Sequence, residues 1–557
     1  MAPKRKIHLN FFDMACNSAH MGLGMWKLPN DSQTTKDSLD YYIWLAKLAE
    51  KGKITGIFFA DVYGVDDTFP NQFEAQFKSG SNCAQLDPLV LVSAMASVSK
   101  SVCFGITGST SYINPFILAR TYSTLDHVTK GRVAWNVVTS YSTSGAKANG
   151  LEKITAHDKR YDKAREVMEI CYSLWEGSWE NDAKQFNRET GLAYDPSKVH
   201  QINYKGEHHQ TQAIGPLHPS PQRTPVIFQA GQSKAGKAFA ALNAEAIFIG
   251  GGKPSDSAGY VSSIRADAAA NGRDPNHIKV FPQMTPILGR TLEEAQAKYE
   301  KYKAAADWRG GIAKLSQYLN VDLSAYPLDE PFDVTAVGTS DNAIHAIINT
   351  LKRYADQVVT PRILGEKMAF CGFGPMPVGT PEMVADVMES WVNEADIDGF
   401  NIAYVSNPES YEDLVELLVP VLQERGLMWE DYTVPGGTYR ENLLGTPGQS
   451  GVPDGHPAAS FKYETLKEKY GDEKGNIFID RRPKEVATTG AEVVTNGVKE
   501  VNGLADKKRK HAEENGAVVS EKRPKVADAE TNGVVEVATT KVVNGVSITV
   551  EVKVTSA

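Results

Sequence analysis

Apolar residues are not spread evenly along this chain. They gather in eight short runs: Ile7–Phe12, Gly56–Ala60, Val102–Gly105, Val133–Val138, Pro225–Gln229, Ala246–Ile249, Lys279–Leu288 and Phe400–Val405. Several are continuous rather than alternating, the pattern of parallel strands covered on both faces. Between the runs the apolar spacing becomes helical. Ala164, Met168, Cys171 and Trp175 form one stripe, and Val384, Val387, Met388 and Trp391 another. Thr380, Pro381 and Glu382 read as a helix start: a capping hydroxyl, a proline whose missing N–H costs nothing there, and a carboxylate at the positive dipole end. Eight strands alternating with helices predict an α/β fold, a (β/α)8 TIM barrel. An open doubly wound sheet is the second arrangement with this element order.

The body exceeds the roughly 250 residues of a plain barrel. The pattern therefore predicts a barrel domain over 1–450 with insertions at about 177–223 and 253–375, and an extension at 451–480 packing on the barrel. Composition changes near residue 480. Beyond RRPKEVATTG there is no Trp, Tyr or Phe, and Asn-Gly-Val recurs at Asn496, Asn532 and Asn544. So few groups to bury predict a disordered, low-complexity tail over 481–557. Two basic clusters, Lys507 to Lys510 and Lys522 to Lys525, lie in it. They read as a solvated linker first and as nuclear-import signals or anion contacts second.

Net charge is −9, so no global attraction to nucleic acid or an anionic membrane is expected. No apolar run is long enough to span a bilayer, and the N-terminus has no secretory pattern. Five scattered cysteines without a CxxC pair suggest neither a disulfide framework nor a zinc site, hence no metal. Together these predict a reduced, cytoplasmic protein, with the nucleus as the alternative if the basic clusters are read.

In a barrel the chemistry lies at the C-terminal ends of the strands. Asp61 directly follows Phe58-Phe59-Ala60, and Thr107 follows the third run. His157 and Tyr161, four apart, share a face near the start of the helix after the fourth strand. The fifth strand ends in "TPVIFQAGQSKAGKAFA", where Gly231 and Gly236 allow close backbone approach and Ser233 places a hydroxyl at a helix start. Unpaired N–H groups there favour a phosphate. Each residue also has a plainer role: Asp61 as a turn aspartate, Thr107 as a strand residue, His157 and Tyr161 as core, Ser233 as a helix cap. Their common position at one end of successive strands favours a site. His20 is a second histidine near the mouth, more simply a solvated loop residue.

"LNFFDMACNSAHMGLGMWKLP", "GIFFADVYG", "AWNVVTSYS", "AHDKRYDKAREVMEICYSLWEGSWE" and "GPLHPSPQRTPVIFQAGQSKAGKAFAALNAEAIF" carry a resemblance over residues 5 to 450. The body resembles flavin-dependent monooxygenases related to bacterial luciferase, in the branch of nitrilotriacetate and dibenzothiophene-sulfone monooxygenases. The resemblance implies FMN at the barrel mouth, with Asp61, Thr107, His157, Tyr161 and Ser233 contacting it, and Tyr161 and Ser233 at its phosphate. It implies a two-component enzyme: reduced FMN is a cosubstrate from a separate NAD(P)H:FMN reductase, and O2 gives one oxygen to a small organic substrate (amine, sulfur or cyclic compound), with C–N or C–S cleavage in some relatives. It also implies a homodimer or homotetramer. No GxGxxG follows the first strand, which fits an external reductase.

His157 either handles a proton or only contacts the flavin ring or phosphate, and the binding role is the favoured one. Met14, Met21, Met25, Trp26, Phe69 and Phe77 either line an apolar pocket or belong to the core. The long insertion expected after the sixth strand, based at Gly250-Gly251-Gly252, is a candidate lid. Two other functions stay open: a deazaflavin- or flavin-dependent oxidoreductase without oxygen insertion, and an inactive barrel whose basic tail acts in the nucleus.

Overall fold

A computed structural model describes residues 5–17, 21–65, 67–250, 252–334, 344–351, 357–482, 534–543 and 546–555. It resolves into two units, residues 1–484 and 485–557.

The first unit is a closed barrel of eight parallel strands: β1 (His8–Met14), β2 (Gly56–Ala60), β3 (Cys103–Ser109), β4 (Val133–Val138), β5 (Val226–Gln229), β6 (Ala246–Ile249), β7 (Lys279–Met284) and β8 (Gly399–Ile402). Each is one of the eight apolar runs. The ring closes where β1 pairs with both β2 and β8, Asn10 lying opposite Gly56 and Asn401. The strands are mostly apolar because both faces are covered, with polar side chains such as Asn10, Asn136 and Asn401 buried among them. Inward, Phe12, Phe58, Phe228, Phe248 and Phe281 fill the cylinder, with Phe12 and Phe248 ring centroids 5.1 Å apart. Outward, Phe11, Ile57, Ile106, Trp135 and Ile227 meet the surrounding helices. The interior is thus a packed core, as barrels of this size require.

The helices form where the spacing predicts them. Ala164, Met168, Cys171 and Trp175 are buried. Thr380 caps the helix Pro381–Ala395 by accepting from the Met383 N–H, with Pro381 at its first position.

The N-terminal face is shut by the short helix Tyr439–Leu444. Tyr439 and Leu443 join the phenylalanine core. Arg440 forms a two-pronged ion pair with Glu245, Nε to Oε2 at 2.6 Å and Nη2 to Oε1 at 2.8 Å, both side chains fully buried. The ammonium-like field of the guanidinium holds the Glu245 carboxyl at about 2, overcoming the burial that would raise it.

Between the helix after β4 and the start of β5, two antiparallel pairs form, Lys184–Asn187 with Leu192–Tyr194 and Gln201–Lys205 with Gln210–Ile214. Asn476–Asp480 adds to the second pair, parallel to Gln201–Lys205.

The other insertion begins later than the sequence suggests. Pro254–Ala270 is an ordinary barrel helix, and residues 279–284 are the seventh strand. The inserted segment therefore follows β7 rather than β6 and runs from about Thr285 to Thr380. The misplacement has a physical source: Pro254–Ala270 buries Ser257, Val261, Ile264 and Ala268, a face too poor in large apolar residues to read as a helical stripe. Within the insertion, helix Trp308–Leu319 reaches across the ring toward the helix after β2, where Gln72 Nε2 donates to the Ala313 carbonyl at 3.0 Å.

The expected unstructured tail falls mostly on residues outside the described set, basic clusters included. Its described part pairs Val534–Val543 with Val546–Thr555, antiparallel. Among the described residues no helix is long and apolar enough to cross a membrane.

Candidate active site

A cleft of about 390 Å³ opens at the C-terminal ends of the strands. Phe12 of β1, Val137 of β4 and Phe248 of β6 contribute its apolar floor. Polar groups enter from the loops after β2, β4 and β5, and the far wall comes from the insertion after β7.

The segment after β5 shows why a buried strand ends in Gly-Gln-Ser-Lys-Ala-Gly. The chain leaves Gln229, turns through Gly231, and starts the helix Lys234–Asn243 at Ser233. Ser233 Oγ accepts from the Gly236 N–H at 3.1 Å, so the capping role holds. It also faces the cleft, on the same helix start that the Tyr161 hydroxyl approaches. The glycines make room for that hydroxyl. A Cβ on Gly236 would lie 2.7 Å from Tyr161 Oη, and one on Gly231 2.9 Å from it. Any side chain would push the phenol out of the helix mouth.

Tyr161 comes from the helix His157–Tyr172, which opens on the same cleft. Its ring packs on Phe239 at 5.8 Å and is nearly buried, and burial raises its phenol pKa, with the nearby Ser233 and Thr139 working the other way. One turn earlier, His157 stacks edge-on with Tyr161 at 5.3 Å and faces the cleft. Its Nδ1 lies 2.8 Å from Asp158 Oδ1. Asp61 follows β2 into the cleft, where burial first and the Asp87 charge after it raise its carboxyl to about 7, against the hydrogen bond from the Val62 N–H.

Four of the five expected residues, Asp61, His157, Tyr161 and Ser233, therefore meet at one cleft. Thr107 does not line it. It is buried in β3, donating to the Phe59 carbonyl at 2.8 Å and accepting from Asn136 Nδ2 at 2.8 Å. That ties β2, β3 and β4 together beneath the mouth. His20 lies outside the described residues. Of the six apolar pocket candidates only Met21 lines the cleft. Met14 and Met25 are core, Trp26 and Phe77 are surface, and Phe69 is half-buried elsewhere.

Sequence reasoning missed Gln229, Arg160, Tyr63 and Lys314, all in the cleft wall. Gln229 is 4 % exposed, and its Oε1 has no hydrogen-bond partner among the described residues. It was hidden as the last residue of an apolar strand. Arg160, between His157 and Tyr161, is buried and donates to the Thr155 carbonyl at 2.8 Å.

These features fit FMN. The helix start at Ser233, with a hydroxyl on each side and space kept open by two glycines, suits a phosphate. The orphaned Gln229 acceptor suits a ribityl hydroxyl or a ring N–H, and the aromatic floor suits a flat heterocycle.

Residues 21–398 match a protein family described as luciferase-like monooxygenase. A long-chain alkane monooxygenase of Geobacillus thermodenitrificans strain NG80-2 is 40% identical over 458 residues, 82% of this chain and 98% of that protein. Nitrilotriacetate monooxygenase component A of Aminobacter aminovorans is 32% identical over 452 residues, covering 80% and 97%. A crystal structure of riboflavin lyase with modified FMN and riboflavin superposes with a TM-score of 0.74 at 32% identity, over 82% of this chain and all of the other.

Proposed function

The chain belongs to the luciferase-like monooxygenase family, and from that premise we propose that it is a two-component, FMN-dependent monooxygenase. Reduced FMN, supplied by a separate NAD(P)H:FMN reductase, provides the electrons with which one oxygen of O2 enters a small organic substrate and the other leaves as water. The observation that carries this reading is the cradle at the fifth strand: Ser233 and Tyr161 hydroxyls meeting at a helix start whose glycines admit nothing larger.

Each residue then has a task. Ser233, Tyr161 and the first N–H groups of the helix hold the phosphate, and Arg160 adds charge nearby. Gln229 fixes the ribityl or ring edge. Thr107 acts from below, holding Asn136 and the β2–β3 edge in place. Asp61 stands at the opposite rim with a carboxyl that is half protonated near neutrality, which eases an anionic guest. His157, steadied by Asp158, holds or passes the proton that accompanies oxygen transfer. The insertion after β7 covers the mouth and keeps water out, which limits peroxide release. The apolar floor favours a substrate with an apolar body, whether amine, sulfur or cyclic compound. One relative is named as a component A, which supports the division of labour with a reductase. Self-association into a dimer or tetramer remains an expectation that light scattering reads directly.

The test is an oxygen-electrode assay with FMN, NADH and a flavin reductase, over a panel of an n-alkane, a sulfide, a sulfone and a tertiary amine. A substrate should lower the O2 returned by catalase and give a product 16 Da heavier or its cleavage fragments. Reduction of a deazaflavin without any oxygenated product overturns the proposal.

A further inference from the structure

Among the described residues, three sulfur-bearing side chains line the cleft: Met21, Met368 and Cys371. The two thioethers come from different cores. Met21 packs with Phe12 and Phe248 in the aromatic interior of the barrel, the group that floors the cleft. Met368 packs with Ile312, Leu315 and Leu364 in the core of the insertion. They converge beside Gly372, where a Cβ would lie 3.4 Å from Met368 Cε and 3.8 Å from Met21 Cε. A thioether is oxidised to a sulfoxide under conditions that leave an aliphatic side chain of the same size untouched. Two of them on the wall of a chamber that activates O2 are therefore within reach of its chemistry.

We propose that Met21 and Met368 form a self-oxidation site: when the protein turns over without an organic substrate, the cleft delivers oxygen to these two thioethers and converts them to methionine sulfoxides. This rests on the reading of the mouth as an FMN-dependent oxygenation site. The step balances. Each sulfur gives two electrons and forms an S–O bond with one atom of O2. Reduced FMN gives the other two electrons, and the second oxygen atom leaves with two protons as water.

Position in the cleft, rather than contact with bulk water, selects these two residues. Met21 is 6 % exposed and Met368 is 4 % exposed, whereas Met383, outside the cleft, is 43 % exposed. Other buried methionines, Met25 and Met284 among them, do not line the cleft. An oxidant arriving from solution therefore meets Met383 first, and oxygen activated inside the mouth meets Met21 and Met368 first. Cys371 competes poorly. Burial pushes its thiol up to about 12, so the thiolate that oxidants attack is scarce at neutral pH.

The test uses the full-length protein with FMN, a flavin reductase, NADH and ¹⁸O2, without organic substrate, and with catalase to destroy released peroxide. Peptide mass spectrometry then reads each methionine. Met21 and Met368 should each gain one ¹⁸O, roughly tenfold faster than Met383 or more. The same protein without FMN, given hydrogen peroxide, should show the opposite order. Label spread evenly over the three residues, or confined to Met383, overturns the proposal, because it marks an oxidant from solution. Peroxide alone oxidising Met21 and Met368 ahead of Met383 overturns it too, because the selectivity then owes nothing to oxygen activated in the cleft. A flavin-fluorescence titration of the same sample separates the two levels. Failure of FMN to bind defeats the reading of the mouth and this inference with it, whereas FMN binding and O2 consumption with Met21 and Met368 unlabelled defeat this inference alone.

Discussion

Replacing Ser233 by aspartate separates the two roles the structure gives that residue. As a helix cap, aspartate accepts from the Gly236 N–H as well as serine does, and its charge suits the positive dipole end. The folded protein should therefore keep its thermal midpoint, where S233A should lose about 1 kcal/mol of stability. As a phosphate contact, aspartate is the wrong sign. Two unit charges about 4 Å apart at an effective dielectric of about 20 repel by roughly 4 kcal/mol. Salt and partial exposure of the loop reduce this, so a loss of about 2–3 kcal/mol is a fair expectation. Each 1.4 kcal/mol is about tenfold, so the FMN dissociation constant should rise by about 30- to 150-fold. Riboflavin has no phosphate and serves as the internal control. Its affinity, read by the same flavin-fluorescence titration, should change less than about threefold by this reasoning. If S233D weakens FMN and riboflavin equally, or neither, then Ser233 caps a helix and the phosphate binds elsewhere.

Three other substitutions test separate parts of the structure. Asp61, raised from 3.8 to about 7, keeps a proton in the folded state that the unfolded chain has already lost, so its contribution to stability is full below about pH 4 and is lost as pH rises through 7. D61N, fixed neutral, should therefore gain in thermal midpoint relative to wild type between pH 5 and pH 8, and a flat difference across that range contradicts the assignment. A Cβ on Gly311 would run into the Gly365 carbonyl, where the inserted helix Trp308–Leu319 crosses a second inserted helix, Pro361–Ala369. G311L should part them at a cost of about 1–3 kcal/mol and raise peroxide leakage in the presence of substrate; unchanged leakage with a lowered midpoint would show that this crossing does not seal the mouth. R440M leaves Glu245 charged and buried at the closed end of the barrel and should cost about 3–5 kcal/mol, with E245Q/R440M recovering most of it. A double variant no more stable than R440M would mean the pair is not coupled as drawn.

The barrel was legible because its strands are largely apolar runs of strand length, eight of them, separated by longer segments with helical spacing. β2, β4 and β6 begin and end where the apolar runs do. Asp61, His157, Tyr161 and Ser233 were legible because strand ends fix where loop residues go. Thr107 shows the limit of that logic: it follows the apolar part of its run, yet β3 continues to Ser109, so its side chain stays below the rim. The lid was harder. Its cleft-facing residues, Lys314 and Tyr318, belong to a helix whose apolar stripe, Ile312, Leu315 and Leu319, packs away on its own inserted core. A stripe tells which face is buried and says nothing about what the other face covers. Gln229 is a subtler case. A polar residue ending a buried run reads as the strand simply reaching water, whereas the fold seals its carbonyl oxygen in without a donor among the described residues.

The central claim is that this barrel mouth uses reduced FMN to place one atom of O2 in an organic substrate. Turnover under ¹⁸O2 tests it most directly, with FMN, reductase and NADH supplied and small molecules profiled by mass spectrometry. The account predicts a product carrying a single ¹⁸O that is absent without FMN and strongly reduced with S233D. NADH and ¹⁸O2 consumed with all the label recovered as peroxide, for every substrate class supplied, would contradict it.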